Sequence, residues 1–143
     1  MGAKHYDPAQ VKVTFGGHVV QGYADGTFVE VARNEQSFSL QVGTDGEGTR
    51  SKTNNKSGTV TLTLMQSSQS NDILSGFSLA DELSSAGVFP LSVVDKSGKT
   101  IVAAETAWIQ KPADVEFSRE ATSRQWVFET DNLIMHIGGN NPI

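Results

Sequence analysis

The hydrophobic pattern changes its period between Gly58 and Gly87, and this change constrains the fold more than any other feature of the sequence. From Thr59 to Leu64, valine and leucine alternate with threonine, which is typical of a half-buried β-strand. After a Ser/Gln-rich connection, the apolar residues follow helical spacing, at Ile73, Leu74, Phe77, Ala80 and Leu83. We therefore predict a strand followed by one amphipathic α-helix over residues 70–86.

Both ends of this helix carry start and stop signals. Ser70 is expected to cap the N-terminus, Asp72 lies in the first turn, where the helix dipole favours a carboxylate, and Gly87 is expected to end the helix. Gly76 inside the helix costs about 1 kcal/mol relative to alanine, so burial of the apolar face must stabilise it. Phe77 is the expected anchor of that face.

Alternating apolar and polar residues recur along the rest of the chain, separated by turn signals such as Gly16-Gly17 and Asp25-Gly26. The pattern predicts a mainly β protein with roughly eight strands. We expect two packed antiparallel sheets, as a sandwich or partly closed barrel, with one flanking helix and one long extended loop. A length of 143 residues fits a single domain over residues 1–143, beginning with a polar arm at 1–9.

Two segments, 36–42 and 59–64, each combine an apolar face with a small polar face. We expect them to pair as a hairpin, with Phe38, Leu40 and Val42 packing inward. Their polar faces then form one wall, made of Ser37, Ser39, Gln41, Thr59, Thr61 and Thr63. The expected core contains Val60, Leu62, Leu64, Ile73, Phe77, Trp126 and Phe128, and we expect Trp108 and Phe117 to be core residues as well.

The segment between these two strands, residues 43–58, has four glycines, two acids and three bases, and no aliphatic or aromatic side chain. It cannot contribute to a core. Loops of this length are uncommon inside compact domains and are usually functional or disordered. Both interpretations, a flexible surface loop and a functional segment, remain open at this point.

Composition excludes several classes of function. The formal net charge of −5 argues against a general affinity for nucleic acid, and the absence of cysteine excludes a disulfide scaffold and a cysteine nucleophile. The N-terminal sequence MGAKHYDPAQ lacks the apolar core of a signal peptide, and no apolar run approaches the ~20 residues of a membrane span. We expect no membrane anchor.

No residue pattern points to catalysis. His5, His18 and His136 have no further ligands at metal-binding spacing. The segment GTDGEG at 43–48 lacks the Lys-Ser/Thr pair of a phosphate-binding loop, and no Gly-x-Ser-x-Gly motif occurs. We expect no enzyme, no metal site and no cofactor, and a function that depends on the shape of the protein.

Two runs of sequence resemble a known family. The run RSKTNNKSGTVTLTLMQSSQSNDILSGF combines a charged loop, a Gly-Thr-Val-Thr-Leu strand and a Ser-Asn-Asp step before a helix, and SREATSRQWVFETDNLIMHIGGN ends in Gly138-Gly139-Asn140. Both resemble the tail tube proteins of contractile-tailed bacteriophages, and the resemblance extends from about Phe15 to Asn140. The type VI secretion tube protein is related to this family in fold.

The resemblance implies a structural virion protein whose hexameric rings stack into the inner tube of a contractile tail, the conduit for DNA ejection. It implies self-association, contacts with the tail sheath, tape-measure and baseplate or terminator proteins, and assembly in the host cytoplasm. The implied lumen lining is the polar wall (Ser37, Ser39, Gln41, Thr59, Thr61 and Thr63) with Glu129, which lets DNA pass without specific binding. The implied contacts between rings are the charged residues of the 43–58 loop, Asp45, Glu47, Arg50, Lys52 and Lys56.

Two kinds of alternative remain. A type VI secretion-like tube protein or a baseplate tube initiator would share this fold. A monomeric ligand-binding β-sandwich, such as a carbohydrate-binding module, would carry an exposed aromatic strip.

Overall fold

A computed structural model describes residues 3–140 of the chain. Within that range it contains one α-helix, α1 (Ser70–Ser84), and a short 3-10 turn at Pro8–Gln10. The strands are β1 (Val11–Phe15), β2 (His18–Val19), β3 (Val29–Arg33), β4 (Phe38–Val42), β5 (Gly48–Lys52), β6 (Gly58–Met65), β7 (Phe89–Asp95), β8 (Ile101–Ile109), β9 (Ser123–Thr130) and β10 (Ile134–His136). The mainly β class with one helix is therefore confirmed. Of the expected N-terminal arm, residues 1–2 lie outside the described range.

Eight strands form the main antiparallel sheet, in the order β2-β1-β7-β8-β9-β6-β3, with β10 pairing to β8. Strand β8 is the fold line, because β7 occupies one edge while β10 and then β9 share the other. The two halves of the sheet pack face to face, so that the rings of Phe15 and Phe128 meet with centroids 4.9 Å apart. In the described part of the chain the sheet does not close, since β2 and β3 at its ends do not pair.

Strand β6 lies between β3 and β9 and supplies the centre of one layer. Val60, Leu62 and Leu64 are at most 1% exposed, as the alternation predicts. The first residue of the strand, Gly58, must be glycine, because a Cβ there would lie 2.5 Å from Leu133 Cδ2, too close for any side chain. Trp126 and Phe128 on β9 are buried beside this layer.

The helix packs on the sheet through a face that differs from the expected one. Leu74 is buried, and Phe77 packs edge to face on Phe15 with ring centroids 5.2 Å apart. Ile73, expected in the core, is 40% exposed, and Leu83 is 85% exposed. The prediction for Ile73 is wrong because the buried helix face consists of Ser70, Leu74 and Ser78, and the Ser70 Oγ accepts the backbone N–H of Gln21 at 3.0 Å.

The helix ends also differ from the expected ones. Ser70 lies inside the first turn and is not a cap; its N–H donates to Ser68 Oγ at 3.2 Å. At the other end Ser85 takes the left-handed conformation, with φ of 55°, and donates its N–H to Asp81 O. Gly87 instead permits close packing, because a Cβ there would lie 2.4 Å from the Asp81 Cβ.

The expected pairing of segments 36–42 and 59–64 is wrong. Strand β4 pairs with β5 in a separate two-stranded sheet, and β6 pairs with β3 and β9. The predicted loop thus contains a strand, joined to β4 by a tight turn in which Gly46 has φ of 89°. Pairing with β5 closes a much shorter loop than pairing with β6 and so costs less chain entropy.

Both strands of this β4–β5 hairpin are exposed along their whole length. Phe38, Leu40 and Val42 are 42%, 70% and 62% exposed, so the expectation that they pack inward is wrong for the single chain. The sequence-based expectation also fails for two aromatic residues, since Trp108 is partly exposed and Phe117 is 79% exposed.

Candidate assembly surfaces

The outward face of β6 is a row of hydroxyl groups, which we call the threonine face. Thr59, Thr61 and Thr63 alternate with the buried residues of the strand and are partly exposed. The registers of the neighbouring strands place Glu129, Val127 and Gln125 opposite them on β9, and Ala32 and Glu30 opposite Thr59 and Thr61 on β3. The residues at these positions include two carboxylates and no cation, which makes the surface hydrated and weakly acidic.

Glu129 is held in place on this surface. Its Oε1 accepts a hydrogen bond of 2.8 Å from Gln110 Nε2. Trp108 on β8 lies directly opposite Glu129 on the edge away from Thr59. The threonine face therefore brings together four of the seven residues expected to line a lumen, namely Thr59, Thr61, Thr63 and Glu129.

The other three residues, Ser37, Ser39 and Gln41, lie on or beside β4 and not on the main sheet. Ser39 pairs with Ser51 and Gln41 with Thr49, so this side of the hairpin also consists of small uncharged polar groups. The structure thus divides the expected polar wall between two sheets.

The opposite side of the hairpin is apolar and cationic, and we call it the apolar hairpin face. Phe38, Leu40 and Val42 lie across from Lys52, Arg50 and Gly48 respectively. The Arg50 guanidinium carbon lies 3.6 Å from the centroid of the Phe38 ring, a cation–π contact that covers part of the ring. Sequence patterning found these apolar side chains but assigned them to the core.

The charged residues expected between rings lie at three levels of the hairpin. Asp45 and Glu47 are at its tip, where Asp45 Oδ1 accepts the backbone N–H of Glu47 at 3.1 Å. Arg50 and Lys52 lie along the apolar hairpin face. Lys56 is at the base, bridged to Asn132, and its carbonyl oxygen accepts the N–H of Leu133 at 2.8 Å.

A groove of about 510 Å³ runs along the open side of the main sheet. One wall consists of Val29 and Val31 on β3, and the other contains Val93, Val102 and Met135. The groove lies between β3 and strands β7, β8 and β10, which are distant in sequence, so no local pattern encodes it.

Asp95 is the carboxylate on the wall of this groove. Its Oδ1 accepts hydrogen bonds from Ser97 Oγ at 2.7 Å and from Ser97 N at 3.0 Å, and its Oδ2 accepts one from Asn140 Nδ2 at 3.2 Å. The hydrogen bond from the Ser97 side chain is the main cause that lowers the pKa of Asp95 below its ordinary value. Asp95 therefore remains a fixed negative charge beside the apolar walls at neutral pH.

Tyr23 is the one described residue with a buried side-chain polar atom that lacks a hydrogen-bond partner. Burial raises the pKa of its hydroxyl from 10.0 to about 12. Its ring packs on Phe28 with centroids 4.9 Å apart. Tyr23 is therefore a packing residue with an unsatisfied hydroxyl, and it offers a reporter for alkaline stability.

Within residues 3–140, no group of three or more His, Cys, Asp or Glu side chains is arranged to hold a metal ion. No described helix combines the length and hydropathy needed to cross a bilayer.

Comparisons with known proteins find structural proteins of bacteriophages. The family described as "Bacteriophage PhiTE tail tube protein" matches residues 9–138. "Structural protein ORF10" of Pseudomonas phage KPP10 is 29% identical over 146 positions, which cover 96% of this chain and 84% of that protein.

Two solved structures have a similar fold. The tube-terminating cap of the anti-feeding prophage has a TM-score of 0.62 at 11% identity, covering 95% of this chain and 93% of that one. The sheath/tube terminator of an extracellular contractile injection system, PVC, also has a TM-score of 0.62, at 10% identity and with coverage of 94% and 99%. At such identities the likeness establishes the fold alone.

Proposed function

The chain belongs to the bacteriophage PhiTE tail tube protein family, and from this premise we propose that it is the repeating subunit of the inner tube of a contractile phage tail. In this role six copies form a ring, the rings stack, and the tube conducts DNA out of the virion. The observation that carries the proposal is the threonine face on a sheet whose two ends are unpaired.

Ring formation uses the open sheet. Among the strands of the described range, β3 pairs only with β6, and the unpaired N–H and C=O groups of such an edge are a template for another strand. Joining a β3 edge to a different edge of the next copy is a heterologous contact, which generates a closed ring when the rotation per copy allows closure. Sixfold closure places the threonine faces of all copies in register.

The lumen role follows from the chemistry of the threonine face. The hydroxyl groups keep a layer of water along the face. Among the residues of β3 and β9 that pair with these threonines, only Ala32 and the partly exposed Val127 have apolar side chains. Glu30 and Glu129 add negative charge, which repels the phosphate backbone within the ~8 Å range that physiological salt leaves unscreened. DNA is then guided without being bound.

The hairpin charges have a role between rings under this proposal. Asp45 and Glu47 at the tip, and Arg50, Lys52 and Lys56 towards the base, face groups of opposite sign on the adjacent ring. Each exposed pair contributes less than about 1 kcal/mol. Six copies per ring add these small contributions together.

The remaining features of the role follow from the family. The tube contacts the sheath on its outside and the tape-measure, baseplate and terminator proteins at its ends, after assembly in the host cytoplasm. The subunit has a structural role and no catalytic one, and it requires no cofactor.

A second candidate function is a tube terminator. The observation that favours it is that both solved structures with a TM-score of 0.62 are described as a cap or terminator. A terminator forms one ring and stops, whereas a tube subunit polymerises without limit.

Negative-stain electron microscopy of the purified protein at rising concentration separates these functions. Hollow tubes of variable length support the tube subunit, and single six-fold rings that never stack support the terminator. A monomer at all concentrations would contradict both and favour a ligand-binding β-sandwich. Type VI secretion-like proteins and tube initiators also form rings, so electron microscopy alone does not distinguish them from a tube subunit. The protein that binds the face of the ring distinguishes them.

A further inference from the structure

Outside the hairpin itself, no residue between 3 and 140 covers the apolar hairpin face. A two-stranded hairpin is marginally stable in water unless another surface covers it. Here its three large apolar side chains are at least 42% exposed, and Leu40 is 70% exposed. A surface of this kind indicates an interaction site.

The groove on the open side of the main sheet has the complementary character. Val29, Val31 and Met135 on its walls also pack against the central core, so the groove is an opening into the apolar interior. Apolar side chains that enter such an opening are favoured, because both apolar surfaces are removed from water.

The charges of the two surfaces are also complementary. Arg50 and Lys52 accompany the apolar side chains on the hairpin. Asp95 is the only carboxylate on the described walls of the groove, which include no Lys, Arg or His. Complementary charges of this kind fix the orientation in which two apolar surfaces meet.

We propose that the apolar hairpin face of one copy docks into the groove of a second copy, with Phe38, Leu40 and Val42 covering the open side of the sheet. This rests on the proposed function, because it names the surface that a neighbouring subunit presents to the hairpin. The contact is heterologous, since hairpin and groove are different parts of the surface, and it therefore propagates from copy to copy. The opposite hairpin side, with Ser39 and Gln41, remains in contact with water.

Disulfide trapping tests this contact directly, because the chain contains no cysteine. Leu40→Cys is combined with Ile137→Cys in one variant and with Thr27→Cys in another, two exposed positions that line the groove. Assembled protein is oxidised and run on a non-reducing gel. We expect at least one pair to give a ladder of covalent dimers, trimers and higher species.

The matched control replaces Leu40→Cys by Gln41→Cys, which lies on the opposite side of the same strand. It should give no ladder. Single-cysteine variants should stop at dimers. Ladders from both the Leu40 and the Gln41 pairs would indicate random collision and overturn the proposal.

A second measurement does not depend on disulfide geometry. Leu40→Asp should raise the concentration needed for assembly by at least about tenfold, which corresponds to ~1.4 kcal/mol per contact, whereas Gln41→Asp should leave it near wild type. Two results together would overturn the docking but leave the proposed function intact. These are normal tube formation by Leu40→Asp and the absence of a ladder from both Leu40→Cys pairs. Absence of any assembly by the wild-type protein would overturn both. If the groove is instead filled by the chain's own terminus or by a small apolar molecule, neither cysteine pair gives a ladder, and the docking is overturned.

Discussion

Thr59 on β6 lies directly opposite Glu129 on β9, so a small hydroxyl and a carboxylate share the outward face of the main sheet. The inward neighbours Val60 and Phe128 are paired in the same register and are buried. One pair of strands thus builds the core with one face and presents a hydrated, acidic surface with the other. This division is what a tube wall requires, because the same layer must hold the subunit together and face the lumen.

Removal of the hairpin should separate folding from assembly. Replacing residues 38–52 by two glycines is feasible because Thr53 N donates to Ser37 O at 2.9 Å, so the two ends are already adjacent. Since the removed strands are exposed, the free energy of unfolding should change by less than about 0.5 kcal/mol. Chemical denaturation should show this small change, and electron microscopy should show no tubes. Wild-type tubes from this variant would refute a role for the hairpin in assembly.

Phe77 should be the energetic anchor of the helix. Its ring contacts Phe15 and Phe89 with centroid separations of 5.2 and 5.0 Å. Phe77→Ala should lower the free energy of unfolding by about 3 kcal/mol, the lower end of the range for core phenylalanines, because the ring is only partly buried in this aromatic cluster. Ile73→Ala is the control on the same helix, and its partial exposure predicts a loss well below that of Phe77→Ala. Equal losses, measured by urea denaturation, would show that the helix packs through a different face.

Tyr23 should make the protein sensitive to alkali. Because burial raises the pKa of its hydroxyl to about 12, the unfolded chain releases this proton first, near pH 10. The free energy of unfolding should therefore fall as pH rises from 10 to 12. Tyr23→Phe should remove that part of the fall, while Tyr6→Phe at an exposed site should retain it. Identical alkaline profiles for Tyr23→Phe and wild type would contradict this assignment.

The sequence predicted the strands of the main sheet well because their side chains alternate strictly, as Val60 to Leu64 do. It could not predict strand partners, since alternation tells which residues share a face and not which strand lies alongside. Strand β5 was missed because GTRSK contains no apolar residue, and the pattern therefore carries no signal of burial.

The error at Phe38, Leu40 and Val42 has a different cause. An alternating apolar strand has the same pattern whether its own chain or a neighbouring copy covers it. The exposure of these residues in the single chain distinguishes the two cases, and no sequence pattern does so. The helix face was misjudged in a related way, because two serines, Ser70 and Ser78, lie on the buried face, and hydropathy does not predict burial of polar residues.

Thiol labelling at Thr61 tests whether the threonine face lines the lumen of a tube. The introduced cysteine of Thr61→Cys is compared with Leu62→Cys, which is buried, and Leu83→Cys, which is exposed on the helix. In free subunits the variants at 61 and 83 should react with a small maleimide and with a polymer-linked one, and the variant at 62 with neither.

In assembled tubes, position 61 should still react with the small maleimide, which enters the lumen, but should be protected from the polymer-linked reagent. Position 83 is the reference for surfaces outside the lumen. It is labelled in a separate variant, so its reactivity is independent of position 61. Rapid labelling of position 61 by the polymer-linked reagent in intact tubes would place the threonine face on the outside and rule out its role as the lumen lining.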